Sequence, residues 1–171
     1  MGRHGPRGDC GCCGEGETCK DITVTAVVSG FPSSVDCDCS IGGGTFGPDS
    51  STHDFSAING TYVASLVASD SPCSEFVGWL ITLSSSLLLC YEASVSLVLT
   101  KDIGGTGYVA ELSISTKRTT LITRNAAFST AISDVGDSET VVDDVELCAE
   151  ASSGVPLVYE TASISVEFTF S

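Results

Sequence analysis

Along most of the chain apolar residues recur at every second position, the period of a strand with one buried face rather than the 3.6-residue spacing of a helix. Ile22, Val24, Ala26 and Val28 alternate with polar or small neighbours, as do Val95, Leu97 and Leu99, and Ala110, Leu112 and Ile114. The clearest run is the last: Ile164, Val166, Phe168 and Phe170 against Ser163, Ser165, Glu167 and Thr169. Further β-like runs span residues 61–68, 76–83, 87–91, 119–123 and 140–147. Turn signals separate them: Ser29-Gly30-Phe31-Pro32, Asn59-Gly60, Asp70-Ser71-Pro72, Gly104-Gly105-Thr106-Gly107, Gly136-Asp137 and Gly154-Val155-Pro156. No stretch has the pattern of a helix. About eight or nine short strands at this spacing predict an all-β fold, an antiparallel β-sandwich or a jelly-roll-like domain.

The opening departs from this pattern, which divides the chain into a Gly/Cys-rich N-terminal arm over residues 1–20 and a β-sandwich domain over residues 21–171. Glycines at positions 2, 5, 8, 11 and 14 give the triplets GRH, GPR, GDC, GCC and GEG. Glycine at every third position is what a collagen-type triple helix requires, because only glycine fits at its crowded axis. So few triplets would need help to hold three chains together, from cysteines within the triplets or from trimer contacts in the body. A flexible Gly-rich tail and a metal-binding segment are the alternatives, and the sequence leaves all three open. Arg3, His4 and Arg7 put positive charge at the start of this arm, which suits it to reach an acidic neighbouring subunit. Lys117, Arg118 and Arg124 form the other basic cluster and mark a second candidate contact surface.

Charge narrows the function. The 171 residues carry 22 acidic against 7 basic side chains, a formal charge of −15. Nucleic-acid binding needs clustered Lys and Arg to neutralise phosphates and is not expected. Docking on an anionic membrane is opposed by the same charge. Neither Lys nor Arg occurs between positions 21 and 100 or after Arg124, and roughly a quarter of the residues are Ser or Thr, well above ordinary usage. The first twenty residues contain no apolar run of the kind a secretory signal needs, so synthesis in the cytoplasm is expected. An extracellular-looking body without a signal suits a virion component, assembled in the host cytoplasm and exposed only after lysis.

Nine cysteines are the main candidates for covalent or metal chemistry. Cys10, Cys12, Cys13 and Cys19 cluster in the arm and Cys37 and Cys39 follow in the body, with Asp36 and Asp38 beside them. Disulfides, a structural zinc site and free thiols all fit, and Cys10 and Cys13 have CxxC spacing without a second such pair. Cys90 reads as a buried hydrophobe. Calcium enters through Asp134, Asp137, Glu139, Asp143, Asp144 and Glu146, which lack the spacing of a helix-loop-helix calcium site. Alternation puts Asp143 and Asp144 on opposite faces of a strand, so a solvated strand edge is expected there. No cofactor is expected, with structural zinc or calcium as the alternatives.

Arg7-Gly8-Asp9 matches an integrin-binding tripeptide by spacing alone, and Asn59-Gly60-Thr61 fits the glycosylation pattern but reads better as a hairpin turn before Tyr62. His53 beside Asp54 is the body's one histidine, and no Gly-x-Ser-x-Gly elbow accompanies it, so no enzyme is expected. Tyr62, Phe76 and Trp79 read as core aromatics.

The cysteine-rich opening without a signal peptide, Cys37-x-Cys39, the segment Ile58-Asn59-Gly60-Thr61-Tyr62, and Cys73, Trp79 and Cys90 within the β-run together carry a resemblance. The chain resembles small cysteine-containing all-β accessory proteins of tailed-phage virions, the head-decoration and tail or fibre components. That resemblance implies a non-enzymatic structural protein, a homo-oligomer and specifically a trimer, that decorates or cements a capsid or tail. An extracellular adhesin or surface-filament subunit, with the final strand donated to a neighbour, is the alternative, and a zinc-stabilised binding module is a third.

Overall fold

The computed structural model describes residues 19–36, 52–69, 77–83, 91–101, 107–118, 123–132, 135–147, 150–152, 155–157 and 160–171. Eight long strands make up the body: β1 (Cys19–Ser29), β4 (Gly60–Ser69), β5 (Val77–Leu83), β6 (Tyr91–Lys101), β7 (Tyr108–Arg118), β8 (Thr123–Ile132), β9 (Ser138–Leu147) and β12 (Glu160–Phe170). Two short pairs decorate it, β2 (Val35–Asp36) with β3 (Thr52–His53), and β10 (Glu150–Ser152) with β11 (Val155–Leu157). The described residues include no α-helix, only a 3-10 turn over Ser56–Ile58.

The long strands form two four-stranded antiparallel sheets, β4-β1-β12-β9 and β5-β6-β7-β8. Read around the molecule, each long strand lies beside its neighbours in the chain, and the ring closes where β1 pairs with β12, Val24 opposite Phe170 and Ser29 opposite Ser165. No ladder joins β4 to β5 or β8 to β9 among the described residues, so this up-and-down order is split into two layers at those seams. Of the two expected architectures the sandwich is the one formed, since a jelly roll is assembled from Greek-key crossings.

The period-two rows meet between the layers. Ile22, Val24, Ala26 and Val28 of β1, Tyr62, Ala64 and Leu66 of β4, and Ile164, Val166, Phe168 and Phe170 of β12 are buried against Val95, Leu97 and Leu99 of β6 and Ala110, Leu112 and Ile114 of β7. Burying each such aliphatic or aromatic side chain contributes about 1.5–3 kcal/mol, which makes this interface the main source of stability. The Tyr62 hydroxyl donates to the Ile58 carbonyl oxygen at 2.5 Å inside the core, and burial pushes its ionisation above the ordinary tyrosine range.

The long excursion between β1 and β4 is tied down at its base. Gly30 leaves β1 with φ +108°, and a Cβ there would lie 2.4 Å from the Ser163 carbonyl oxygen, so the backbone of β12 occupies the space a side chain would need. The Asn59 side-chain amide then holds Phe31 at both backbone groups, accepting from its N–H at 3.0 Å and donating to its carbonyl at 2.9 Å. The Phe55 N–H donates to the Pro32 carbonyl at 3.0 Å. Phe31, Val35, Phe55 and Ile58 are buried as a result and close one end of the sandwich.

Three sequence expectations change. Asn59-Gly60 is not a hairpin turn: a 3-10 turn precedes it, and the Asn59 amide is committed to Phe31, with Nδ2, the atom a glycan would take, donating to its carbonyl. The final strand is not available for donation, because β12 is a central strand paired on one side with β1 and on the other with β9. Of the run at 119–123 only Thr123 is described, and there a full strand, β8, begins.

Candidate functional site

Most of the candidates read from sequence lie outside the described residues: Arg3, His4, Arg7, Cys10, Cys12 and Cys13 in the arm, and Cys37, Cys39, Cys73, Cys90 and Cys148 in the body. Cys19 opens β1, with its backbone opposite Ser69 of β4. Lys117, Arg118 and Arg124 come together by register at one end of the second sheet, Lys117 opposite Glu92, Arg118 opposite Tyr91 and Arg124 opposite Thr116. His53 lies in β3 opposite Val35. Its sequence neighbour Asp54 has its own partner: the carboxylate accepts from the Ser56 hydroxyl at 2.5 Å and from the Ser56 N–H at 2.8 Å. These bonds, the hydroxyl first, hold the exposed Asp54 carboxyl below the usual aspartate range.

The acidic run becomes β9, the edge strand of the first sheet. Its ladder with β12 sets the facing: Val141, Asp143 and Val145 stand opposite the buried Val166, Ile164 and Ala162 and share their inward face. Val142, Asp144 and Glu146 therefore turn outward. The opposed facing of Asp143 and Asp144 agrees with the alternation, and both are exposed on a strand edge.

Across the seam from β9 stands β8, the edge of the second sheet. In the turn that leads into β9, Gly136 has φ +104° and its N–H donates to the Phe170 carbonyl at 2.8 Å. At the far end from that turn a cleft of about 500 Å³ opens between the layers. Phe31 and Ile114 form its apolar base, Thr116, Asn125, Ala126 and Ala127 one wall, and Asp143, Asp144, Val145 and Glu146 the other. Among the described residues the charged ones lining it are Asp143, Asp144 and Glu146. Among the described residues no three or more His, Cys, Asp or Glu side chains gather as a metal site, because the carboxylates are spread along a strand.

The chain matches no protein-family model, no curated protein and no solved structure.

The second feature is the outer face of the β4-β1-β12-β9 sheet. Thr23, Thr25 and Val27 of β1 lie beside Thr61, Val63 and Ser65 of β4 and beside Glu167 and Thr169 of β12. Val27, Val63 and Val142 all lie on this face, 43%, 44% and 61% exposed, and they are the large hydrophobics left in solvent among the described residues. Hydroxyl side chains lie between them, and Asp21, Glu167, Asp144 and Glu146 share the same outward face. On the opposite sheet the outward rows mix small residues (Ser94, Ser96, Ser113, Ser115, Ala127, Ser129 and Ala131) with Val98, Val109, Glu111 and Asn125. Among the described residues no helix is long and apolar enough to cross a membrane.

Sequence reasoning located the acidic strand but not the cleft. The signal was present in residues 139–147, where Glu139 and Asp143 interrupt an otherwise aliphatic row, a device that marks an edge strand. The far wall was not readable, because it depends on which strand of the other layer stands opposite.

Proposed function

We propose that this protein is a non-enzymatic structural subunit of a larger assembly, a virion decoration or cement protein or a tail accessory protein that works through inter-subunit contacts. In this reading it is made in the host cytoplasm, carried on the virion and organised as a homotrimer. The supporting observation is the outer face of the first sheet, which keeps Val27, Val63 and Val142 in solvent among hydroxyl and carboxylate side chains. Aliphatic side chains left exposed together on a sheet face are suited to burial against another protein. The cysteine-rich arm then supplies cross-links between subunits once the assembly meets an oxidising medium.

Native mass spectrometry of the full-length chain, with and without reductant, tests the proposal. A trimer is expected in both conditions, held more tightly without reductant. A monomer in both conditions at every concentration examined contradicts it and favours a ligand-binding module.

A further inference from the structure

The chain has two asparagines, Asn59 and Asn125, and only Asn59 is followed by glycine. An Asn-Gly pair carries its own chemistry. The glycine nitrogen can attack the asparagine side-chain carbonyl carbon, and with no Cβ beside that nitrogen nothing hinders the approach. A bond forms between the Gly60 nitrogen and Cγ of Asn59 as the Cγ–Nδ2 bond breaks. Nδ2 leaves as ammonia, taking the Gly60 proton, and a five-membered succinimide ring remains. One water molecule then opens the ring at either carbonyl, giving aspartate or isoaspartate. No oxidant or cofactor takes part.

The fold holds this pair away from that reaction. The Asn59 side-chain amide is fixed at both polar atoms on the Phe31 backbone, Oδ1 accepting at 3.0 Å and Nδ2 donating at 2.9 Å. Asn59 has ψ 137°, an extended value, whereas ring closure brings the Gly60 nitrogen round to the side chain. Gly60 also begins β4 opposite Val28, so turning about ψ pulls the start of β4 out of its register with β1. Asn125 is the internal comparison: the Cβ of Ala126 crowds the following nitrogen, and Asn125 lies within β8 opposite Ser115.

We propose that Asn59-Gly60 is a self-modification site guarded by the Phe31 clamp: opening of the β1–β4 excursion permits ring closure, and the product cannot close the clamp again. An aspartate at position 59 has no N–H for the Phe31 carbonyl and sets a carboxylate oxygen against it. Isoaspartate in addition carries the main chain through the former side chain, adding a methylene where β4 begins. The buried Phe31, Val35, Phe55 and Ile58 then lose their fastening, and the end of the sandwich that they close is loosened. Because reaction needs the open form, its rate in the folded chain relative to the unfolded one reads the fraction of time this end is open.

Incubation of the full-length chain in mildly alkaline buffer, folded and in urea, tests the proposal. Isoaspartate at position 59 is followed by peptide mapping and by labelling with an isoaspartyl methyltransferase. The reaction is expected to be slower in the folded chain by roughly tenfold or more. Phe55→Ala removes a buried ring from the closed end and is expected to speed the reaction severalfold at Asn59 and leave Asn125 unchanged, with thermal melting showing that the variant is folded. Asn59→Asp stands for the product and is expected to speed hydrogen exchange of the Phe31 amide while the amides of β6 and β7 keep their protection. Equal rates at Asn59 in the folded and the urea-unfolded chain overturn the guarding role of the clamp. Phe31 exchange unchanged by Asn59→Asp overturns the loss of the clamp in the product.

Discussion

β12 and β9 lie side by side in one sheet, paired from Glu160 and Leu147 to Thr169 and Ser138, and they carry opposite kinds of information. From Ala162 to Phe170 of β12, every second residue is buried, and the residues between are polar. In β9 the same inward row reads Glu139, Val141, Asp143, Val145 and Leu147, and only Leu147 is fully buried. Backbone pairing differs as well, since among the described residues β12 is paired on both sides and β9 on one, and the side chains match these places. A strand whose inward row is wholly apolar is committed to the core. One whose inward row carries carboxylates cannot be drawn fully between the layers, because burying an unpaired charge is costly. β9 thus leaves the seam to β8 without a ladder among the described residues, and the contrast gives β12 to the core and leaves β9 free for the inter-subunit contact proposed above.

The largest effect expected from this contrast is on stability. Phe168→Ala on β12 removes a fully buried ring and should cost about 3–5 kcal/mol, whereas Val142→Ala on the outer face of β9 should stay within about 0.5 kcal/mol. Urea unfolding of the two variants measures both, and comparable losses would break the assignment.

A pair of glycines sharpens it. Both Gly30 and Gly136 have positive φ, but an added Cβ at Gly30 meets the β12 backbone while at Gly136 it meets nothing within 4 Å. Gly136→Ala should therefore cost only the conformational strain, about 1 kcal/mol. Gly30→Ala adds displacement of a central strand and should exceed about 2 kcal/mol. Equal losses in denaturant melts would mean that the approach of Gly30 to Ser163 is not a constraint.

The smallest effect is local. With its two bonds from Ser56, Asp54 titrates below the ordinary aspartate range, so its contribution to stability is present above the unfolded-state pKa and is lost as pH falls through the lowered folded-state value. Ser56→Ala removes the larger of the two causes and should move the Asp54 titration up toward the ordinary range, as followed by carboxyl NMR. An unmoved titration would contradict the hydrogen-bond assignment.

Strands β1, β6, β7 and β12 were legible in the sequence because their inward rows are aliphatic or aromatic without interruption. Strand β8 was not, since its inward row reads Ala126, Phe128, Thr130 and Ile132: a small residue and a hydroxyl blur the period, although Thr130 is buried. Local pattern also cannot say which strands meet. The central place of β12 between β1 and β9 comes from pairing across nearly the whole chain, and for that reason its strong alternation was as compatible with a donated strand as with an internal one. Asn59 was misread for the same reason, since its partner Phe31 lies far away in sequence. The acidic wall of the cleft was visible as charges in an apolar row, but its floor and far wall come from loops and strands brought together only by folding.

The most direct test of the division between folding and contact is Val142→Lys in the full-length chain, with melting temperature and native mass recorded on the same sample. Val142 is 61% exposed on the outward face of β9, so the fold has little to lose. The expected result is a melting temperature like that of the unaltered chain together with dissociation into monomers. Retention of the assembly would contradict the assignment of this face to inter-subunit contact.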